Sequence, residues 1–232
     1  LIMQDINFEY GKQYRAQKKI KIDSAKLKEF LKNFGVAVLI TIALILVIRS
    51  FVFTVDEREQ VVITQFDKIV RVIVDDINEP SIQELKNNPR FANVKIQECK
   101  GLFFKIPFIQ SVKRFSNQLL SFDTAAEEVF TRDKKIILLD NFAQWKIVNP
   151  VTFMINIGGN RETANLRIDE FLYSKMREEI GKIDAHTLIA DKDYVMEMLE
   201  NVEEYINSQL EPLGIKIMDI RIKRTEFPDE AK

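Results

Sequence analysis

The hydrophobic and polar positions divide the chain into one long apolar run and a series of shorter periodic patterns. Residues 34–53 read FGVAVLITIALILVIRSFVF, and no other stretch is apolar for so long. The first fifteen carry no charge but would cover only about 22 Å of a hydrocarbon core that is roughly 30 Å thick. The full twenty reach about 30 Å. The pattern therefore predicts one membrane-spanning helix, residues 34–54, followed by an exported domain.

Arg49 lies near one end of this predicted span, where a long side chain reaches the bilayer interface. The alternatives for the run are a buried core helix and a cleaved signal peptide. A signal peptide is disfavoured because Arg49 and Ser50 follow the apolar region where small residues would mark a cleavage site. The predicted anchor residues are Phe34, Gly35, Leu39, Leu44, Ile48, Arg49, Phe51 and Phe53.

The charged residues are distributed unevenly on the two sides of the apolar run. Residues 1–33 contain eight Lys and Arg against four Asp and Glu, whereas the chain after Thr54 contains 25 against 31. The positive-inside rule then places the N-terminus in the cytoplasm and the main domain outside it. A basic segment of this kind could also bind nucleic acid or anionic lipid. The membrane topology alone explains its charge, however, and we predict no nucleic-acid partner.

The chain after the run begins with a predicted β-rich unit, residues 55–125. Two β-branched runs, residues 61–66 and 69–74, flank Asp67 and Lys68 and predict a hairpin. Residues 75–98 form an insertion with helical turns between prolines and a short strand at its end. Further short strands are predicted at residues 111–116 and 119–124.

The segment GLFFKIPF, between Gly101 and Phe108, combines turn residues with an aromatic cluster. Packing inside the small unit is the common outcome for such a cluster. An amphipathic wedge in the outer membrane interface is the alternative. Both interpretations concern the same four residues, Phe103, Phe104, Ile106 and Phe108.

A second predicted unit, residues 126–225, mixes strands and helices, so the fold class is α+β. A turn at residues 132–135 precedes a long strand at 136–147. Apolar residues at three- and four-residue steps predict one helix from Asn160 to Gly181 and another from Asp191 to Gly214. A short helical turn separates these helices and a strand at 215–224 follows them. Residues 226–232 resemble the start of a further helix.

Four stretches carry a resemblance to a known family: GLFFKIPFIQSVKRF, FTRDKKIILLDNFAQWKI, MREEIGKIDAHTLI and DIRIKRTEFPDE. In this order they resemble the SPFH, or band 7, family of stomatins, prohibitins and flotillins, over residues 55–232. The resemblance implies a membrane helix, a small β-rich subdomain, a mixed α/β subdomain and a long C-terminal helix. The insertion at 75–98 and the N-terminal segment are longer than the family pattern implies.

Within the family, these stretches are most similar to a bacterial branch whose members assemble with an HflK-type paralogue. The resemblance implies a non-enzymatic scaffold in the bacterial inner membrane, alternating with HflK in a hetero-oligomeric cage that regulates the protease FtsH. Three alternatives stay open: a single-pass receptor with an exported ligand-binding domain, a generic stomatin- or prohibitin-type membrane organiser, and a membrane-tethered hydrolase.

The sequence offers few candidates for chemistry, and we predict no catalytic, cofactor-binding or metal-binding residue. His186 follows Asp184 by two residues, so the pair could act as a general base and the carboxylate that orients it. A lone histidine without a nucleophile motif is typically structural, however. The pair Gly158-Gly159 before a helix is a weak anion-binding signal that a turn explains. Cys99, the single cysteine, cannot form an intrachain disulfide and is predicted to be inert, and Trp145 is predicted to be core.

Overall fold

The computed structural model describes residues 24–98 and 100–226 and divides into two units, Leu1–Arg49 and Ser50–Lys232. The described part of the first unit is a single helix, which belongs to α1, Ser24–Phe51. Its stretch Lys28–Phe51 has the length and composition to cross a membrane, and at 1.5 Å per residue its 24 residues reach about 36 Å. The apolar side chains along it are exposed, as a lipid-facing helix requires.

The helix ends at Phe51, so the predicted anchor was wrong at its C-terminal end. Val52 and Phe53 begin a strand, β1 (Val52–Val55), which pairs with β5 (Gly101–Phe104) in a two-stranded sheet. Phe53 is only 8% exposed and its ring lies 5.8 Å from that of Phe103. β-branched and aromatic residues favour this extended pairing, and the helix gains its length by starting earlier, at Ser24.

The second unit contains two four-stranded sheets. In the small sheet only the first pair of neighbouring strands is parallel, and the strands lie in the order β4 (Lys95–Gln97), β3 (Lys68–Ile73), β2 (Glu59–Gln65) and β6 (Gln110–Ser116). The predicted hairpin is confirmed, with its turn at Phe66 and Asp67, one residue earlier than expected. The insertion forms helix α2 (Pro80–Asn87) and a 3-10 turn, Pro89–Phe91, before strand β4.

The large sheet is built around β9 (Ile136–Ile147), whose bounds match the predicted strand. β10 (Ile215–Glu226) pairs along one side of β9, and β7 (Leu120–Asp123) and β8 (Glu127–Phe130) share the other side. Because β7 belongs to this sheet, the division between the sheets lies before residue 120. The predicted boundary between residues 125 and 126 is corrected accordingly.

Four helices accompany the large sheet, and each is immediately preceded by an Asn or Asp residue. α3 (Pro150–Ile157) was not predicted, α4 (Arg161–Ile180) and α6 (Lys192–Leu210) were, and α5 (Ala185–Ala190) is the expected short turn. Asn160 and Asp191 cap α4 and α6 by accepting backbone N–H groups. The buried face of α4 repeats at four-residue steps. Its members are Ala164, Ile168, Leu172, Met176 and Ile180.

One main hydrophobic core joins the two sheets and the helices. Trp145, as predicted, is fully buried in it, with the Phe153 ring 6.4 Å away. Phe115 of the small sheet meets Phe153 edge-on at 5.5 Å. The other face of the small sheet carries a satellite core beneath β1. It consists of Phe53, Val55, Val61, Ile63 and Ile73.

The sheets are connected at a joint formed by Gln60, Ile147, Asn149 and Gly214. Gln60 is 4% exposed, and its side-chain amide donates to the Ile147 carbonyl at 2.7 Å. Asn149 caps α3 by accepting from Val151 N and donates its amide to the Ser81 carbonyl at 3.0 Å. The Gly214 carbonyl accepts from Asn149 N at 3.2 Å. Buried polar groups in the joint are therefore paired.

The regular pairing pattern of strand β10 is interrupted at several points. The side chain of Asn207 donates to the Ile217 carbonyl at 3.1 Å and accepts from Ile217 N at 2.7 Å. The register against β9 shifts between Ile217 and Asp219 and again between Ile222 and Arg224. Such irregularities twist an edge strand away from regular pairing.

Candidate interaction surfaces

One end of the small sheet presents exposed apolar side chains. The β2–β3 turn and the loop 105–109 lie together there, because Gln65 pairs with Gln110 and their side-chain amides are 3.2 Å apart. We call this the apolar end and define it by Phe66, Phe104, Ile106 and Phe108. Phe66 is 77% exposed and Phe108 is fully exposed.

The backbone at this end holds two aromatic residues in an unusual conformation. Phe66 has φ 49° and Phe108 has φ 66°, values that bulky residues rarely adopt. The loop around Phe108 is fixed by Gln110, whose side chain accepts from Ile106 N and whose backbone N–H donates to Ile106 O, both at 2.9 Å. Such strain concentrates at functional positions.

The structure divides the four named residues of the GLFFKIPF segment between the core and the surface. Phe103 faces the satellite core and stacks on Phe53, whereas Phe104, Ile106 and Phe108 face outward. This division follows from strand alternation, because neighbouring residues of β5 point to opposite faces. Phe66 joins the outward set and was not identified from the sequence. No turn propensity places an aromatic residue at a hairpin tip with positive φ.

Cations and the end of α1 lie beside the apolar end. The Lys105 backbone N–H donates to the carbonyl of Phe51, the last residue of α1, at 2.8 Å. Lys105 itself stands between Phe104 and Ile106 in the chain, and Arg71 reaches the Phe104 carbonyl at 3.5 Å. Exposed aromatic residues with adjacent cations form an amphipathic surface of the kind that suits a membrane interface.

A second exposed region joins two of the stretches that carry the family resemblance. We call it the hairpin clamp and define it by Thr131, Arg132, Asp133 and Asp184. The Arg132 guanidinium forms two hydrogen bonds with the Asp184 carboxylate, and Arg132 N donates to the carbonyl of Ile183 at 2.9 Å. The clamp fastens the β8–β9 turn to the segment between α4 and α5.

The electrostatics of the hairpin clamp favour its ionised form. The hydrogen bond from Arg132 lowers the pKa of the Asp184 carboxyl. Hydrogen bonds from the Thr131 hydroxyl at 2.6 Å and from Ala185 N at 3.1 Å lower the pKa of Asp133 to about 2. Both carboxylates are therefore charged at neutral pH.

Apolar side chains flank the hairpin clamp. Phe130 and Ile136 form a cross-strand pair at its base and are both exposed. Tyr194, in the first turn of α6, is also exposed and lies near Arg132. A charged pair among exposed apolar side chains is typical of a protein–protein contact surface.

The candidate chemistry is not assembled into a site in the described part of the chain. His186 is exposed, and Asp184 bonds to Arg132 rather than to it. Gly158 ends α3 with φ 72°, and the Asn160 side chain occupies the first N–H groups of α4, so this segment is a turn. Among residues 24–98 and 100–226, no three His, Cys, Asp or Glu side chains converge as metal ligands would. Cys99 lies outside the described residues.

A family model and several curated proteins are similar to this chain in sequence. The model of the SPFH domain / Band 7 family matches residues 53–232. The chain is 25% identical to Modulator of FtsH protease HflC of Escherichia coli (strain K12), over 83% of this chain and 64% of that protein. It is 26% identical to Protein HflC of Buchnera aphidicola subsp. Acyrthosiphon pisum (strain APS), over 81% of this chain and 59% of that one.

A shorter match has higher identity. Protein HflC of Haemophilus influenzae (strain ATCC 51907 / DSM 11121 / KW20 / Rd) is 29% identical over 56% of this chain and 45% of its own length. The chain thus spans less than two thirds of the length of these curated relatives. The names of the relatives agree with the bacterial branch indicated by the sequence motifs. With the family model covering most of the chain, and with the expected order of helix, strands and helices present, this protein belongs to the SPFH, or band 7, family.

Proposed function

We propose that this protein is a membrane-anchored, non-enzymatic scaffold that modulates an FtsH-type membrane protease. The observation that carries the proposal is the similarity to curated relatives named modulators of that protease, extending over 83% of the chain. An α+β domain with two exposed contact surfaces, directly following a helix able to cross a membrane, is the construction that a tethered regulator needs.

We further propose that the chain alternates with an HflK-like paralogue in a cage around the protease. The hairpin clamp and its flanking apolar residues provide a lateral surface of suitable character. A helix after residue 228, outside the described residues, would add coiled-coil packing between neighbours. The HflK assignment rests on the family resemblance of the motifs.

The orientation follows the charge distribution. The basic N-terminal segment lies in the cytoplasm and the SPFH domain lies on the outer side of the bacterial inner membrane. Lys134 is an exposed residue of the β8–β9 turn. We expect a Lys134→Cys variant to react with a membrane-impermeant maleimide in intact spheroplasts above the level of the parent chain. Reaction of the added thiol only after lysis would reverse the proposed orientation.

In this orientation the apolar end enters the outer interface of the bilayer. Moving a Phe side chain fully out of water is favourable by about 1.5–3 kcal/mol of transfer free energy. Even partial insertion of Phe66, Phe104 and Phe108 into the interface is therefore more favourable than leaving them in water. Arg49 lies at the same interface by this proposal, and Lys105 and Arg71 face the headgroups.

Fluorescence quenching tests this contact in the full-length chain. A Phe108→Trp variant, reconstituted in vesicles of brominated phospholipid, should lose much of its added emission. The matched control is Phe130→Trp, because Phe130 is also an exposed aromatic residue, at 54% against full exposure for Phe108, but lies beside the hairpin clamp. Equal quenching of both variants, or of neither, would contradict insertion of the apolar end. Trp145 is buried and gives the same background in each protein.

Affinity purification from native membranes tests the scaffold itself. We expect a tagged full-length chain, extracted in mild detergent, to retain an FtsH-type protease and a second SPFH protein in a particle of many subunits. A strictly monomeric particle, without the protease, would reject the proposal. Reversing the clamp charge with Arg132→Glu should weaken lateral assembly, whereas the same change at the distant Arg167 of α4 should not.

A further inference from the structure

A cavity of about 340 Å³ lies behind the turn that carries Phe66. We call it the turn cavity. Three parts of the second unit line it on one side: the start of β3, the segment after α2, and α3. The other side is open to solvent. Its lining residues are Asp67, Lys68, Ile69, Arg90, Phe91, Val94, Met154 and Ile155.

Five of the eight residues that line the turn cavity are apolar and three are charged. Ile69, Phe91, Val94 and Met154 are half-buried against the main core, and Ile155 is exposed. Ligand sites of small molecules have this character, with volumes from roughly 300 Å³ upward and a few placed polar groups. The volume is at the lower end of that range, which suits a single hydrocarbon chain.

Two cations stand at the turn cavity without carboxylate partners. Within residues 24–98 and 100–226, neither Lys68 nor Arg90 forms an ion pair, although the Arg90 guanidinium lies 5.7 Å from the Phe91 ring centre. Asp67 is the only acid in the lining, so the lining carries a net positive charge. An apolar slot with unpaired cations complements an amphiphile that has an anionic head.

The position of the turn cavity indicates where such an amphiphile comes from. Lys68 lies two residues after Phe66, and Asp67, with φ 61°, completes the same turn. The turn cavity is therefore continuous in the chain with the apolar end, which the proposed function places in the outer bilayer interface. A bilayer lipid is the anionic amphiphile present at high local concentration there.

We propose that the turn cavity binds one acyl chain of an anionic glycerophospholipid, with its phosphate held by Lys68 and Arg90. This inference rests on the proposed membrane contact of the apolar end. Charged hydrogen bonds from both cations favour an anionic headgroup over a zwitterionic one, whose own ammonium opposes them. The site would make anchoring of the domain dependent on lipid charge in addition to hydrophobic insertion.

Photocrosslinking tests the proposal on the full-length chain in nanodiscs. The probes are phosphatidylglycerol and phosphatidylcholine that carry a diazirine on one acyl chain, and peptide mass spectrometry locates the label. We expect phosphatidylglycerol to label the peptide containing Met154 and Ile155 about tenfold more than phosphatidylcholine does. Equal labelling by the two lipids, or no label in this peptide, would overturn the inference.

Variants separate charge recognition from the apolar slot. Lys68→Gln with Arg90→Gln should reduce phosphatidylglycerol labelling to the phosphatidylcholine level. Lys134→Gln with Arg161→Gln removes the same charge elsewhere and should leave it unchanged; an equal loss in this control would overturn specific recognition. Ile155→Trp should diminish labelling by filling the slot, with circular dichroism establishing that the variant is folded.

The same experiment distinguishes failure of this inference from failure of the proposed membrane contact. Label on the peptide containing Ile106 and Phe108 reports the apolar end in the bilayer. Label there with none at the turn cavity would reject the lipid site alone. No label at either place would reject both the lipid site and the membrane contact on which it rests.

Discussion

The two ends of strand β2 reverse the usual relation between polarity and burial. At its beginning, Gln60 is buried in the joint and its amide is hydrogen-bonded to the Ile147 carbonyl. Immediately after its end, Phe66 stands in solvent with a positive φ. Buried polar groups are retained where every bond is made, and exposed apolar groups in strained backbone need a partner outside the chain. The polar groups of the joint are therefore satisfied within the chain, whereas the apolar side chains of the apolar end lack a partner in water.

Gly214→Ala should give the largest loss of stability, because it disrupts the joint. Gly214 has φ 73°, and an added Cβ would collide with the Asn149 carbonyl and the Thr152 hydroxyl. Overpacking together with left-handed strain predicts a loss of about 3 kcal/mol in unfolding free energy. Denaturation followed by the single tryptophan, Trp145, measures it. Gly158→Ala is the control: φ is 72° but no atom lies within 4 Å, so its loss should be clearly smaller.

Asn149→Ala should be the next largest effect at the joint. It removes the cap of α3 and leaves the Ser81 carbonyl without its donor, for a loss of about 2 kcal/mol in unfolding free energy. Asn149→Asp keeps an acceptor for the cap but removes the donor, so it should lose less. If the two variants were equally stable by urea denaturation, the side-chain cap of α3 would contribute nothing.

At the apolar end, substitution should act in the opposite direction. Asn tolerates the left-handed conformation that Phe108 adopts, so Phe108→Asn relieves strain and removes exposed apolar surface. We expect it to be about 1 kcal/mol more stable than Phe108→Ala, which removes the ring but keeps the penalty of an ordinary side chain. Thermal unfolding in mild detergent gives the comparison. An Asn variant less stable than the Ala variant would show that the conformation is not strained.

The smallest expected effect is a pH dependence of stability, and it arises at the hairpin clamp rather than at either end of β2. Asp133 and Asp184 have lowered pKa values in the folded chain, Asp133 about 2. Their contribution to the unfolding free energy is complete above the pKa of an Asp in the unfolded chain, which is about 4. It is lost as the pH falls from about 4 toward 2. Asp133→Asn should flatten this part of the stability curve in denaturation at several pH values. An unchanged acid limb would contradict the assigned hydrogen bonds.

Periodic elements of this fold were predictable from the sequence because their signals are local. β9 and α4 each repeat apolar residues with one period and are bounded by turn or capping residues. α3 was missed because Asn149-Pro150 was interpreted as a strand end. The same dipeptide supplies an N-cap and a first-turn proline, which is the start signal of a helix.

Contacts between distant segments were less predictable. Nothing near Phe53 indicates that β1 pairs with β5 almost fifty residues later, so an apolar residue beside a membrane helix was assigned to that helix. Strand alternation divides Phe103 from Phe104, but the sequence does not say which face the satellite core covers. The hairpin clamp likewise joins Arg132 and Asp184 across 52 positions, although each motif that contains them was recognisable.

The Asn207 side chain has a consequence for how copies of this chain can associate. Its amide satisfies both backbone groups of Ile217 as a neighbouring strand would. A strand from another molecule could add to this edge of the sheet only by displacing Asn207 and straightening two register shifts. Asn207 and the register shifts therefore oppose open-ended sheet growth, the route to fibrils, at this edge of β10.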